Sequence, residues 1–334
     1  MKRESLDLTQ DHETTGPEIS VVVPLYNEEN NVRPLIERLA EVFRRLGSTW
    51  EVVFALDPGP DRTKERIREL YEEGYPVRMI LFSRRIGKPL SLMAGLDHAR
   101  GAACVIIDAD LQDPPETIIE MVRMWRGGFK VVIARRSSRK GENFLYLKCA
   151  ELFYRILERV SEVPVPVNTG DFRLLDAAAV REICRIRERH AFLRGLTAFV
   201  GFSTAIVTFD RESRHSGKTQ ISLSGAINIA LDGIIPFSRT PLRIISVLGL
   251  LILALSGLVG TGWLIRGSVL GFSATWPSEL LCVLLPASTG FLAACMGVLG
   301  EYLVRTYEET RNRPLYIVDE LMDYAVKADD DITG

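Results

Sequence analysis

The chain lacks several of the patterns that mark common site types. Its five cysteines (Cys104, Cys149, Cys184, Cys282 and Cys295) include no C-x-x-C pair and leave an odd one over. That argues against a disulfide framework and for buried thiols in a reducing, cytosolic setting. The four histidines (His12, His98, His190 and His215) show no zinc-ligand spacing. No G-x-x-x-x-G-K-[ST] phosphate loop follows a strand, which excludes the phosphate-loop nucleotide hydrolases. Basic and acidic side chains nearly balance, 41 against 43, giving a net charge of −2. No basic excess points to nucleic acid, and none is expected as a partner. There is no internal repeat. Residues 1–17 carry no apolar core of a secretory signal and are expected to form a mobile tail.

Charge is also missing locally. Ile244–Ile265 and Leu280–Gly300 contain no charged residue, and each is long enough for a hydrocarbon core of ~30 Å. Small residues punctuate both runs (Gly249, Ser256, Gly257 and Gly260; Gly290, Ala293, Ala294 and Gly297) and allow close helix packing. The short connection from Arg266 to Ser278 has one basic residue, whereas Arg239, Arg243, Arg305, Arg311 and Arg313 flank the outside. By the positive-inside rule both flanks are cytoplasmic, so a two-helix transmembrane hairpin at residues 242–266 and 278–303 is expected. The protein would then be integral to the cytoplasmic membrane, with residues 304–334 as a cytoplasmic tail. Before the hairpin, Leu223, Ile227, Leu231, Ile234, Ile235 and Phe237 recur with few charges. This predicts an amphipathic juxtamembrane helix over 221–241, with a packed soluble helix as the alternative.

Residues 18–220 read as one α/β domain. The β-type runs Ile19–Val23, Trp50–Phe54, Val77–Phe82, Cys104–Ile107 and Val131–Ala134 are separated by helical patterns, the first carried by Val32, Leu35, Ile36, Leu39, Val42, Phe43 and Leu46. Apolar runs without alternation imply a mostly parallel sheet with helices on both faces. Ligands then lie at the carboxyl ends of the strands.

One of those ends carries Asp108-Ala109-Asp110-Leu111-Gln112-Asp113-Pro114-Pro115. Two carboxylates two residues apart, with an amide two further on, suit Mg²⁺ or Mn²⁺, hard cations that take oxygen ligands and bridge phosphates. A leaving nucleoside diphosphate needs such neutralisation. Asp108, Asp110 and Gln112 are therefore the candidate metal ligands. Arg84, Arg85 and Lys88 surround Gly87 after the third strand and face the expected nucleotide; Arg136 and Arg139 follow the fifth. Arg211, Arg214 and Lys218 lie just before the surface helix. Arginine's planar fork suits phosphate, so Arg136, Arg211, Arg214 and Lys218 are read as phosphate-binding, against the alternative of solvated surface charge.

These motifs resemble family 2 glycosyltransferases. Val21-Val22-Val23-Pro24-Leu25-Tyr26-Asn27-Glu28-Glu29 looks like the opening strand and loop of that family. The acid-rich run at 108–116, Asn168-Thr169-Gly170-Asp171-Phe172-Arg173-Leu174, Phe192-Leu193-Arg194-Gly195-Leu196 and Gly300–Glu309 resemble its branch of bactoprenol glucosyltransferases and dolichyl-phosphate mannose synthases. The resemblance implies a GT-A, Rossmann-like fold and an inverting transfer to polyprenyl (undecaprenyl) phosphate, with a uridine diphosphate sugar such as UDP-glucose as donor. It also implies roles. Pro24, Tyr26, Glu28, Asp57, Lys88, Asp108 and Gln112 would bind the nucleotide sugar, and Asp110 and Asp171 would be catalytic. Asp171 would act as a base or as an orienting acid that holds an arginine such as Arg173, itself counted with the phosphate-binding residues. A dimer or tetramer sharing the surface helices is compatible with so modest an anchor. Two departures stand out: Leu56-Asp57-Pro58-Gly59 replaces the usual acid pair and glycine, and Gln220 stands where a lysine is usual. A processive polysaccharide synthase would need more spans and a Q-x-x-R-W motif, neither of which is present. A non-catalytic membrane scaffold is the remaining alternative.

Overall fold

In the computed structural model the described residues are 16–137, 169–189, 191–210, 240–270 and 276–324. Arg139, Arg211, Arg214, Lys218 and nearly all of the expected juxtamembrane helix lie outside them.

The first half alternates as expected: β1 (Ile19–Leu25), α1 (Val32–Leu46), β2 (Trp50–Leu56), α2 (Thr63–Glu72), β3 (Val77–Phe82), α3 (Lys88–His98), β4 (Ala103–Ile106), α4 (Thr117–Arg126) and β5 (Val131–Arg136). Beyond these come β6 (Thr169–Asp176), α5 (Ala177–Arg185), α6 (Leu193–Phe199), β7 (Thr204–Phe209), α7 (Thr240–Leu270), α8 (Trp276–Thr310) and β8 (Val318–Met322). The eight-stranded sheet runs β7-β5-β6-β4-β1-β2-β3-β8. β1 pairs parallel with β2 and β4, and β3 parallel with β2; β6 is antiparallel to both β4 and β5. This is a GT-A-like arrangement.

Period-two burial sorts the strand side chains between two helical layers. Ile19, Val21, Val23 and Leu25 of β1 pack in one core with Leu35, Ile36, Leu39 and Phe43 of α1, Ile67 and Leu70 of α2, and Ile118 and Met121 of α4. Val22 points the other way, and a Cβ on Gly95 of α3 would lie 2.3 Å from its Cγ1. Each fully buried aliphatic side chain contributes roughly 1.5–3 kcal/mol. β1 runs through Pro24, where the sequence pattern placed its end. Pairing with β2 continues through Pro24, whereas pairing with β4 stops at Val22, so the N–H that proline lacks falls where the β4 ladder has already ended.

The segment after residue 304, where Leu315–Val318 reads as ordered, carries more regular structure than that. Helix α8 persists to Thr310, and residues 318–322 form β8, antiparallel to β3 at the sheet edge. The Asp323 carboxylate accepts from Arg78 Nε at 3.0 Å and Arg100 Nη2 at 2.5 Å. Arg78 is buried and lies 3.4 Å from Glu51, itself fully buried and bonded to Ser20 Oγ and the Arg100 amide. Glu320 meets Lys64 and Arg68, both at 2.7 Å, and Tyr316 donates to Asp97 at 2.8 Å.

The chain divides into two compact units, residues 1–147, 165–220 and 314–334 in one and 148–164 and 221–313 in the other. In the second, α7 has 31 residues and α8 has 35. Among the described residues one window, Ile245–Gly262, is long and apolar enough to cross a membrane. Leu250, Leu255 and Leu258 are 66%, 63% and 72% exposed, unlike a helix buried in a soluble core. The helices approach at Gly249, where an added Cβ would lie 3.7 Å from Phe291. The expected connection from Arg266 is helical through Leu270.

Asp323→Ala removes the acid shared by Arg78 and Arg100. It should cost about 1–2 kcal/mol, the partial exposure of Asp323 limiting the effect. For a domain of this size that lowers the Tm by several degrees. A melting curve of the detergent-purified full chain that does not shift would contradict the clamp.

Candidate active site

The strand directions collect polar residues at one end of the sheet. β1, β2, β3 and β4 deliver Tyr26, Asp57, the 83–88 loop and Asp108 there. Because β6 runs the other way, its beginning reaches the same end. Ile106 pairs with Arg173, so in this antiparallel register two residues past Ile106 and two residues before Arg173 bring Asp108 opposite Asp171.

Lys88, the first residue of α3, bridges these two acids. Its Nζ lies 2.7 Å from Asp108 Oδ1, 2.8 Å from Oδ2, and 3.0 Å from Asp171 Oδ2. Burial works to lower the lysine's pKa, but the two carboxylates outweigh it and hold it above the ordinary lysine value. On its other side Asp171 accepts from Arg194 Nε at 3.0 Å. Burial alone would raise the Asp171 pKa; Arg194, then Lys88, keep the carboxyl well below the usual range.

The acid-rich turn is shaped by its backbone. Asp110 Oδ1 accepts from the Gln112 amide at 3.2 Å, and Leu111 sits at φ +59° with its side chain in the core. That left-handed conformation costs a branched residue of order 1 kcal/mol or more, offset by the burial of Leu111. Asp113 is buried 3.5 Å from Arg136 Nη2. Burial, reinforced by Asp108, pushes its pKa up to about 6 against the pull of Arg136. The oxygen-only chemistry of Asp108, Asp110 and Gln112 fits a hard divalent cation completed by substrate phosphates. Among the described residues no group of three or more His, Cys, Asp or Glu side chains converges as a self-sufficient metal cage.

Around this centre, Arg85 stacks its guanidinium 3.7 Å from the centroid of the Tyr26 ring. Glu28 accepts from Asn31 Nδ2 at 2.5 Å, and its amide donates to Thr63 Oγ1. Asp61 accepts from the Glu29 amide, so the loops after β1 and β2 are tied together. Close packing adds to the tie, since a Cβ on Gly59 would fall 2.2 Å from Asn27 Oδ1.

Two expected roles are corrected. Arg173 is no phosphate ligand at the open end: it is 1% exposed and donates to Thr197 Oγ1 at 2.8 Å, Gly170 O at 2.7 Å and Asp171 O at 3.2 Å. Burial pulls its pKa down to about 10, opposed by Asp171. The arginine on the Asp171 carboxylate is instead Arg194, 23 positions away on α6, a partnership that sequence adjacency does not reveal. Asp57 is likewise spent internally. It is 2% exposed, with Oδ1 on the Ile86 amide and Oδ2 on the Gly87 amide, both at 2.9 Å. Asp113 also went unassigned. Tyr26, Lys88, Asp108, Asp110, Arg136 and Asp171 do meet at this end, with Pro24 and Glu28 beside them.

Comparison with known proteins accords with this geometry. Residues 20–184 match the family model described as "Glycosyl transferase family 2". An uncharacterized glycosyltransferase of Synechocystis sp. is 40% identical over 304 residues, covering 91% of this chain and 95% of that protein. An uncharacterized glycosyltransferase of Bacillus subtilis is 39% identical over 308 residues, covering 90% and 93%. A prophage bactoprenol glucosyl transferase homolog of Escherichia coli is 38% identical over 303 residues, covering 90% and 98%.

Because Arg173 supports the fold from within, Arg173→Ala should destabilise the protein by about 3 kcal/mol or more through the buried acceptors it leaves unpaired. Arg136→Ala, which breaks one long 3.5 Å pair with Asp113, should lower the Tm by less. Equal Tm losses in the two variants would contradict this division.

Proposed function

The chain belongs to glycosyl transferase family 2, and we propose that this enzyme moves a sugar from a nucleotide-sugar donor to a polyprenyl phosphate at the cytosolic face of a membrane. A uridine diphosphate sugar such as UDP-glucose is the donor and undecaprenyl phosphate the acceptor. The acceptor class is supported by the relatives that bear the name bactoprenol glucosyl transferase, 37–38% identical over nine-tenths of the chain. The observation that carries the reading is Asp171, held ionised between Arg194 and Lys88.

A carboxylate in two ion pairs is a poor proton acceptor. A hydroxyl acceptor would need its proton removed, whereas a phosphate monoester is already mostly dianionic near neutral pH, its second pKa being about 6. An acceptor oxygen of this kind attacks the anomeric carbon opposite the diphosphate. The bond from that carbon to the diphosphate oxygen breaks, and the nucleoside diphosphate leaves as an anion, inverting the configuration. Asp108, Asp110 and Gln112 would hold Mg²⁺ or Mn²⁺, which when bound neutralises charge on the leaving diphosphate. Lys88 and Arg194 supply fixed positive charge beside Asp171, and Arg136 serves the acceptor phosphate. Tyr26 and its stacked Arg85 border the nucleotide side with Pro24 and Glu28. Arg211, Arg214 and Lys218, outside the described residues, are proposed as further phosphate-binding groups.

The membrane hairpin draws support from topology. α7 spans ~46 Å at 1.5 Å per residue, more than a ~30 Å hydrocarbon core requires. The chain leaves the catalytic sheet after β7 and returns to the same sheet as β8. A chain that crosses once must cross back to do so, and we take α8 as the return span. The juxtamembrane helix and a dimer or tetramer built on shared surface helices fit the same anchor.

The test is transfer itself. Purified chain, undecaprenyl phosphate, Mn²⁺ or Mg²⁺ and a panel of nucleotide sugars should yield one glycosylated lipid by mass spectrometry. Chelation or Asp110→Ala should reduce the yield roughly 10²-fold or more. Folded protein that binds nucleotide but glycosylates no lipid phosphate would overturn the acceptor assignment.

A further inference from the structure

The residue that ends β2 reaches the reacting centre through another residue. Asp57 follows Leu56 directly, and its amide donates to Leu25 O at 2.9 Å, which fixes it to β1. Its carboxylate faces inward and receives the Ile86 and Gly87 amides, one on each oxygen. At 2% exposure it offers no surface to a ligand. The next residue after those two amides is Lys88, which reaches Asp108 and Asp171.

The backbone at this point accepts few alternatives. Gly87 has φ +86° and ψ 158°, a region essentially confined to glycine, although nothing lies within 4 Å of an added Cβ. Space is open there, and only the conformation excludes a side chain. The Gly87 carbonyl in turn accepts from the Ser91 amide and Ser91 Oγ, both at 3.1 Å, and so starts α3. Gly87 is thus held on both sides, by Asp57 at its amide and by α3 at its carbonyl.

The geometry points to Asp57 as a positioning residue that sets Lys88 against Asp108 and Asp171, in place of a direct contact with the nucleotide. This rests on the reading of the strand ends as the sugar-transfer site. Asparagine at position 57 keeps the volume but offers a single acceptor oxygen, and its amide nitrogen would confront one of the two N–H groups. The loop should then lose one anchor and Lys88 its fixed origin.

A double-mutant cycle separates positioning from contact. Transfer rates of the full detergent-purified chain are compared for the parent, Asp57→Asn, Lys88→Ala and the double variant. Asp57→Asn should slow transfer tenfold or more in the parent background and less than twofold once Lys88 is alanine. Gly87→Ala, which disturbs the same loop without touching a buried charge, should repeat that pattern. Equal factors in both backgrounds, as a direct nucleotide contact or general unfolding would give, overturn the proposal. The same cycle is read on uridine diphosphate binding by calorimetry. Absence of transfer by the parent chain then counts against the transferase reading, while coupling between positions 57 and 88 is still decided.

Discussion

Two carboxylates facing each other across adjacent strand ends would repel, and Lys88 is what makes the arrangement stable. Unit charges ~4 Å apart interact by about 4 kcal/mol at the effective dielectric of a protein surface. Asp108, two residues past the end of β4, lies opposite Asp171 near the start of β6, so some cation must lie between them. Lys88 does, at 2.7 and 3.0 Å, and Arg194 supports the outer side of Asp171. The remaining features of the site serve this exchange of charge. Asp57 fixes the loop that carries the lysine, Leu111 turns the acid-rich segment back into the core, and the antiparallel entry of β6 brings Asp171 to the end where the parallel strands finish.

The opposite end of the sheet carries a second buried cluster with a structural task. Ser20, Glu51 and Arg78 occupy the second positions of β1, β2 and β3, and Asp323 completes the set from beyond β8. The segment that follows the long helices is thereby sewn to the sheet edge. That edge also reaches the active-site loop, since the Ser83 amide donates to Ile317 O at 3.0 Å. One polar cluster holds the frame and the other is left at the open end, where charge can be used on substrates.

Much of this was legible where the signal is local. β1 to β5 stand out as unbroken apolar runs, because strands covered on both faces need apolar side chains on both. The acids at 108 and 110 stand out because an apolar strand delivers them. β6 was not legible: Asp171, Arg173 and Asp176 interrupt it, and only the fold shows that Arg173 turns inward toward Thr197 while Asp171 emerges at the end. Adjacency in sequence made Arg173 the natural partner for Asp171, and the two do share a face of the strand, yet the Arg173 guanidinium is taken up by Thr197 Oγ1 and the Gly170 and Asp171 carbonyls, which leaves the Asp171 carboxylate to Arg194, from a helix 23 residues on. β8 was legible only at its start: Leu315–Val318 reads as ordered, but Asp319 and Glu320 mask the strand that follows, whose Glu320 pairs with Lys64 and Arg68. The role of Asp57 was obscured for a related reason. A carboxylate at a strand end looks like a ligand-binding group until its hydrogen bonds to Ile86 and Gly87 are seen.

The central claim is that the strand ends bearing Asp108, Asp110 and Lys88 hold the donor. An experimental structure of the full chain with Mn²⁺ and uridine diphosphate tests it most directly. The account predicts the diphosphate at the carboxyl ends of β1, β2 and β4, with the metal on Asp108 and Asp110 and Lys88 beside the phosphates. A nucleotide bound elsewhere, or a metal with no ligand from Asp108 or Asp110, would contradict it.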